Sequence, residues 1–193
     1  MSNGTQTQQW GNPGALGLFG FGFNTILLQV HNLGAIQGDV PLIYGFFWGG
    51  MAQVIAGIID GKRGDTFGLT AFTSYGLFWI GLALYMVLNM TSALGGADAH
   101  GLAYAFVLWG IFTGIMTIGT LKMSWAHFVI FASLTILFFL LAAHFFNTSF
   151  SAKIAGVEGI ICGASAVYTG AAVVINDKFG KTVLPIFPFK KKT

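Results

Sequence analysis

The sequence predicts an all-α integral membrane protein built as a six-transmembrane-helix bundle, and three observations predict it. Of its 193 residues 55% are hydrophobic and only 8% charged, against about 25% charged in an ordinary soluble domain. Six mostly apolar segments can be drawn, each near the ~20 residues that a helix needs to cross the hydrocarbon core. The links between them are short and rich in Gly, Asn, Asp and Ser, as in NLGAIQGD, GKRGDT and NTSFSAK. Little chain remains for a soluble domain.

The first segment, 13–31, opens on Asn12 and Pro13 and carries Gly17, Gly20, Gly22, Asn24 and Gln29 with no Lys, Arg, Asp or Glu. Asn is a favoured N-cap and Pro suits the first helical position, so the pair starts a helix sharply. The free N–H groups and positive dipole end of that helix also favour an anion, and both readings stand. The second segment, 40–60, puts Gly49, Gly50, Gln53, Gly57 and Asp60 near one face. The third, 67–89, follows Thr66, with Thr70, Thr73 and Ser74 at i+4, i+7 and i+8 forming a polar stripe beside Tyr75. The fourth and fifth, 101–121 and 125–146, are separated only by KMS. The sixth, 154–175, repeats the striped logic with Glu158, Cys162, Ser165 and Thr169. GIFTG at 110–114 and GIICG at 159–163 are small-xxx-small patterns that let helix backbones approach closely in lipid.

An even number of spans places both chain ends on one side. Lys62, Arg63, Lys122, Lys178, Lys181, Lys190, Lys191 and Lys192 fall on that side and Lys153 alone falls opposite, which assigns the termini to the cytoplasm. The expected organisation is a cytoplasmic N-terminal segment at 1–12, the membrane domain at 13–175 and a basic cytoplasmic tail at 176–193, in a plasma membrane. Residues 1–12 lack the basic start of a cleavable signal, so the first span is expected to be retained. No internal repeat is evident.

Composition also excludes function classes. The single cysteine, Cys162, leaves no internal disulfide and no zinc or redox pair in the usual spacing. No metal and no cofactor are expected. The cations sit in loops and a tail rather than along one face, so nucleic acid is not a partner. HExxH, GxSxG and paired intramembrane aspartates are absent, which argues against an enzyme. Polar residues inside spans should instead face the bundle interior or a water-lined path. Asn12, Pro13, Asn24, Gln53, Thr70 and Ser74 are the candidates to meet a permeant, with the Tyr75 hydroxyl as a further donor. Glu158 and His127 are candidates for proton coupling. Glu158 lies about one turn inside its span and is expected to pair with Lys153 or to face water. His127 is expected beside Trp125 at the membrane surface.

NPGALGLFGFGFNTILL, TFGLTAFTSYGLFW, LWGIFTGIMTIGTLK, GIICGASAVY and FGKTVLPI, in that order, closely resemble the acetate uptake transporter family, over roughly residues 12–186. The resemblance implies a six-helix protomer in a homo-hexameric ring with one substrate path per protomer. It implies transport of acetate, and of other small carboxylates such as succinate, with proton symport. It further implies an apolar constriction made by Phe21, Tyr75 and Leu134. The family signature usually reads Asn-Pro-x-Pro, whereas here Ala15 precedes Leu16 and the second proline is missing. A channel for acetate or for small neutral solutes such as urea, ammonia or protonated short-chain acids fits the same features, and so does a scaffold that only binds carboxylates.

Overall fold

A computed structural model describes residues 10–91 and 98–189. Lys190, Lys191 and Lys192, which enter the charge asymmetry, and residues 1–9 lie outside the described residues. Six helical segments long and apolar enough to cross a membrane are present among the described residues. They are α1 (Gly14–Asn32), α2 (Val40–Lys62), α3 (Thr66–Met90), α4 (Ala99–Thr120), α5 (Trp125–Phe146) and α6 (Ala152–Phe179).

Their ends follow from local chemistry. The Asn12 side-chain oxygen accepts from the Gly14 N–H at 2.9 Å, but α1 begins one residue later than expected: Pro13 rather than Asn12 is its N-cap residue, and Asn12 closes a turn just ahead of it. Asp65 caps α3 by accepting from the Gly68 N–H at 3.0 Å, and Ser124 and Ser151 cap α5 and α6 in the same way. Helix α6 runs past residue 175 to Phe179 and stops where Gly180 takes a left-handed φ of 63°. Beyond it the chain doubles back. The carbonyls of Phe187 and Ile186 accept from the Trp125 and Ala126 N–H groups at 2.9 and 3.2 Å. The tail thereby satisfies two of the free donors at the start of α5.

Helix α2 is not a uniform α-helix. Between an α-helical turn at Val40–Tyr44 and a regular stretch at Gln53–Lys62, residues Gly45–Ala52 form a π-helix. The apolar run through this region does not change character, so the sequence carries no visible sign of it.

Each helix packs on its neighbours in the chain, and α6 closes on α1, giving a ring of six. The α1–α6 seam is among the most extensive contacts, and glycine makes it possible. A Cβ on Gly163 would lie 2.7 Å from the Gly22 carbonyl oxygen, and one on Gly22 equally close to that of Gly163. The GIICG pattern therefore acts as the sequence suggests. The α3–α4 seam is the exception. These consecutive helices scarcely touch, leaving a cleft of about 520 Å³ between Ser74, Leu77, Phe78 and Gly81 on one side and Leu102, Ala105 and Trp109 on the other.

The interior is unusual in what it buries. The bulkiest fully buried side chains among the described residues are Gln29, Gln53 and Asn24, followed by threonines, while Leu108, Ile115, Ile118 and Phe47 are more than half exposed. Soluble proteins show the opposite trend. A lipid solvent explains it, because polar groups there have nowhere to go but inward.

The α1–α6 contact predicts that Gly163→Val destabilises the bundle by about 1–3 kcal/mol through overpacking. Gly81→Ala, where a Cβ meets open space, should be neutral. Thermal unfolding of the purified variants in one detergent compares the two directly.

Candidate functional site: a necked path through the bundle

Three cavities succeed one another along the ring's interior. On the face that carries the chain ends lies a vestibule of about 390 Å³, bordered by Asn12, Asp60, Arg63, Asp65, His127 and Ile186 among others. On the opposite face is a second one of about 300 Å³, with Asn32, Tyr85 and Asn89 as its polar members. Between them is a neck of only about 20 Å³. Leu28, Leu82 and Leu141 belong to both the neck and the opposite vestibule. Leu18, Ala71 and Phe131 from the first vestibule join Phe21, Tyr75 and Leu134 in one buried cluster.

The neck brings together the three residues named for the constriction. Phe21, Tyr75 and Leu134 all border it and are 5%, 3% and 3% exposed. They come from α1, α3 and α5, alternate members of the ring. The Phe21 and Tyr75 rings lie 6.1 Å apart, and Tyr75 also meets Phe131 at 6.0 Å, within the range of favourable aromatic pairing. No charged side chain among the described residues borders the neck, whose polar members besides Tyr75 are Thr25 and Gln29. The Tyr75 hydroxyl, counted from sequence as a donor to the permeant, donates instead to Thr113 Oγ1 at 3.0 Å. Thr113 in turn donates to the Trp109 carbonyl at 2.7 Å. Thr113 escaped the sequence reading, because a lone threonine in an apolar span looks like any other helix threonine.

The remaining sequence candidates divide. Asn12 borders the first vestibule, and Pro13 is the residue whose carbonyl accepts the first helical bond, from Gly17, at 3.1 Å. Asn24 and Gln53 are each 1% exposed but border none of these three cavities. The hydroxyl stripe of α3 faces elsewhere than expected. Its buried face is Gly68, Ala71, Tyr75, Gly76, Trp79 and Ala83, whereas Thr70 and Ser74 are only half-buried. Ser74 borders the α3–α4 cleft. The smaller residues win the inward position because they let neighbouring helices approach, which is what drives association in lipid.

His127 borders the first vestibule, its Nδ1 2.7 Å from Ser124 Oγ. Glu158 does not reach the path. It lies in a lateral groove with Lys153, Ile154, Val157 and Ile161, and the expected pairing with Lys153 is not made. Five residues apart on one helix, the two side chains leave it about 140° apart. The sole ion pair among the described residues is Arg63 with Asp60 at 3.6 Å. Arg63 also donates to the Asn12 side-chain oxygen at 3.4 Å, so the first vestibule holds a fixed cation that sequence reading had used only for topology. The described residues contain no cluster of His, Cys, Asp and Glu suited to a metal ion.

Residues 2–191 match the GPR1/FUN34/yaaH family. The chain is 47% identical over 179 residues to the "Succinate-acetate/proton symporter SatP" of Escherichia coli, covering 91% of this chain and 94% of that protein. It is 29% identical over 203 residues to "Acetate permease A" of Emericella nidulans, covering 95% of this chain and 68% of that protein. Among solved structures, that of "the bacterial acetate channel SatP" superposes with a TM-score of 0.88 at 45% identity, covering 92% of this chain and 99% of that one.

Because the Thr113 hydroxyl keeps its bond to Trp109 when the tyrosine proton is removed, Tyr75→Phe should cost only about 0.5–1.5 kcal/mol. A change in thermal stability far above that, with the helical signal retained, would mean that the hydroxyl anchors more than Thr113.

Proposed function

The chain belongs to the GPR1/FUN34/yaaH family, and on that premise we propose that it carries acetate, and small carboxylates such as succinate, across a plasma membrane through the necked path of each protomer. The observation that carries this reading is the uncharged neck between a charged vestibule and a mostly apolar one with an amide-and-tyrosine fringe, in a lipid-facing bundle. Relatives at high identity are named for acetate and succinate transport, and the site offers the chemistry such a permeant needs.

A carboxylate approaching the face with the chain ends meets Arg63, the Asn12 amide and the dipole end of α1. Asp60, paired with Arg63, and Asp65 border the same vestibule and offset that charge, so the mouth offers local donors without a net positive well that would trap the anion. In the neck the anion would lose its hydration and meet no compensating charge, a penalty of several kcal/mol. The protonated acid escapes most of it. Its methyl end suits the apolar walls of Phe21 and Leu134, and hydrated inorganic ions are held back by the dryness of the neck. We therefore favour passage of acetate together with a proton, without a dedicated relay: Glu158 lies outside the path, and His127 sits in the vestibule rather than the neck. The excess of Lys and Arg on the side of the chain ends supports placing that face in the cytoplasm. The exposed apolar flanks suit assembly as a homo-hexamer in lipid.

Uptake of labelled acetate into proteoliposomes tests the coupling against protein-free vesicles, which report passive entry of the acid. A pH gradient at zero potential should drive uptake, and a potential at equal pH should not. Potential-driven acetate flux would overturn the coupled reading in favour of an anion channel. Moving one net charge gains about 2.3 kcal/mol per 100 mV, so the contrast is large. Two variants probe the path itself. Leu134→Ala should erase about tenfold of the discrimination between acetate and butyrate, the scale set by a methylene or two in an apolar pocket. Arg63→Gln should raise the acetate concentration for half-maximal uptake a few-fold at low salt and less at high salt.

A further inference from the structure

Behind the wall of the neck, three polar side chains from three helices converge on one glycine. Asn24 of α1 and Gln53 of α2 are 1% exposed, and Trp79 of α3 is 4% exposed. A Cβ placed on Gly49 would lie 2.8 Å from Asn24 Nδ2 and 3.0 Å from Trp79 Cγ. Gln53 Nε2 donates to the Gly49 carbonyl at 2.6 Å. Gly49 lies in the middle of the π-helical stretch Gly45–Ala52, and such stretches mark functional sites more often than chance would place them there.

The polar atoms around this glycine do not satisfy one another. Asn24 Nδ2 and Oδ1, Gln53 Oε1 and Trp79 Nε1 are all buried, and none has a hydrogen-bond partner among the described residues. That is two donors and two acceptors within one helix junction in the middle of a membrane. Four orphaned polar atoms cannot persist in hydrocarbon, where no solvent reaches them. A water molecule offers the complementary set of two donors and two acceptors, and buried waters typically make about three such bonds. Acetate is a poor match, because neither amide borders the path.

We propose that Asn24, Gln53 and Trp79 form a built water site at the α1–α2–α3 junction beside Gly49, and that this water sets the orientation of the Trp79 indole. Trp79 borders the neck together with Phe21, Tyr75 and Leu134. Asn24 and Gln53 are thereby positioning residues: they act on the neck through a bound water and an indole ring, not by touching the permeant. The water site stands independently of what crosses the neck; its effect on selectivity rests on the transport reading above.

The site is tested by water-edited solid-state NMR of the full chain, labelled with ¹⁵N-tryptophan and held in lipid bilayers. The Trp79 indole resonance is assigned by its loss in Trp79→Phe. In the wild type, polarisation from water protons should reach the Trp79 N–H on the timescale seen for Trp125, which is 54% exposed. Failure to reach Trp79 on that timescale overturns the proposal without any variant being made. Asn24→Leu should lose the transfer, while Asn24→Ser, which keeps a donor and an acceptor, should retain it. Retention in Asn24→Leu also overturns the assignment. None of these readings involves acetate, so a dry junction in a protein that transports normally refutes the water site alone. A hydrated junction in a protein without flux refutes the transport reading alone.

Discussion

Inside hydrocarbon every polar atom has to find its partner within the protein, and most of this structure follows from that requirement. It turns Gln29, Gln53 and Asn24 into the bulkiest fully buried side chains among those described and leaves leucines and isoleucines outside. It also explains the threonines. Thr25, Thr113, Thr117, Thr135 and Thr169 each donate to the carbonyl four residues earlier, at 2.7–2.8 Å. A threonine that has given its proton to its own helix presents only lone pairs to its surroundings. Thr113 uses one of them for the Tyr75 hydroxyl, and the aromatic residue at the neck is locked in place with no proton to spare.

Ring closure follows from a different property of lipid. Helices there are not driven together by burial of apolar surface, since the solvent is as apolar as the side chains, and backbones that can approach closely gain most. Gly22 and Gly163 bring α1 and α6 into contact along most of their length and so close the circle that the chain order begins. With six helices in sequential order, alternate ones share the centre. Phe21, Tyr75 and Leu134 meet at one level because they sit on the first, third and fifth helices. The loose α3–α4 seam is the one place where consecutive helices do not seal against each other.

How far the sequence discloses this depends on which force sets each feature. Hydropathy alone displays the six spans, because spanning length and burial in lipid are composition effects. The start of α1 at Asn12 and Pro13 is legible to within one residue, since its chemistry is local. Phe21, Tyr75 and Leu134 come from resemblance; nothing in their spacing distinguishes them from other large residues in their spans. The stripe at Thr70 and Ser74 misleads, because it competes with Gly68, Ala71, Gly76 and Ala83 for the inward face and small residues pack better. The π-helix at Gly45–Ala52 is invisible, since a change in helical pitch alters neither hydropathy nor composition. Arg63 reads as a topological charge in a GKRGDT loop; only the folded chain brings it against Asn12, fifty-one residues away.

The separation of charge from the neck carries the mechanistic argument. Arg63, Asp60, Asp65 and His127 gather at one mouth, Asn32, Asn89 and Tyr85 at the other, and the neck between them is bordered by polar but uncharged Thr25, Gln29 and Tyr75 among apolar neighbours. A cation fixed in the neck would lower the barrier for a carboxylate and also create a well from which it leaves slowly. An uncharged neck avoids the well but leaves an anion with its full desolvation penalty. A weak acid has a third course, because a proton taken up at one vestibule and released at the other removes the charge for the length of the neck alone. On the proposed reading, the dry neck is then sufficient to link proton and acetate movement. The permeant brings its own titratable group to the narrowest point, and a buried acid–base relay would have nothing to add.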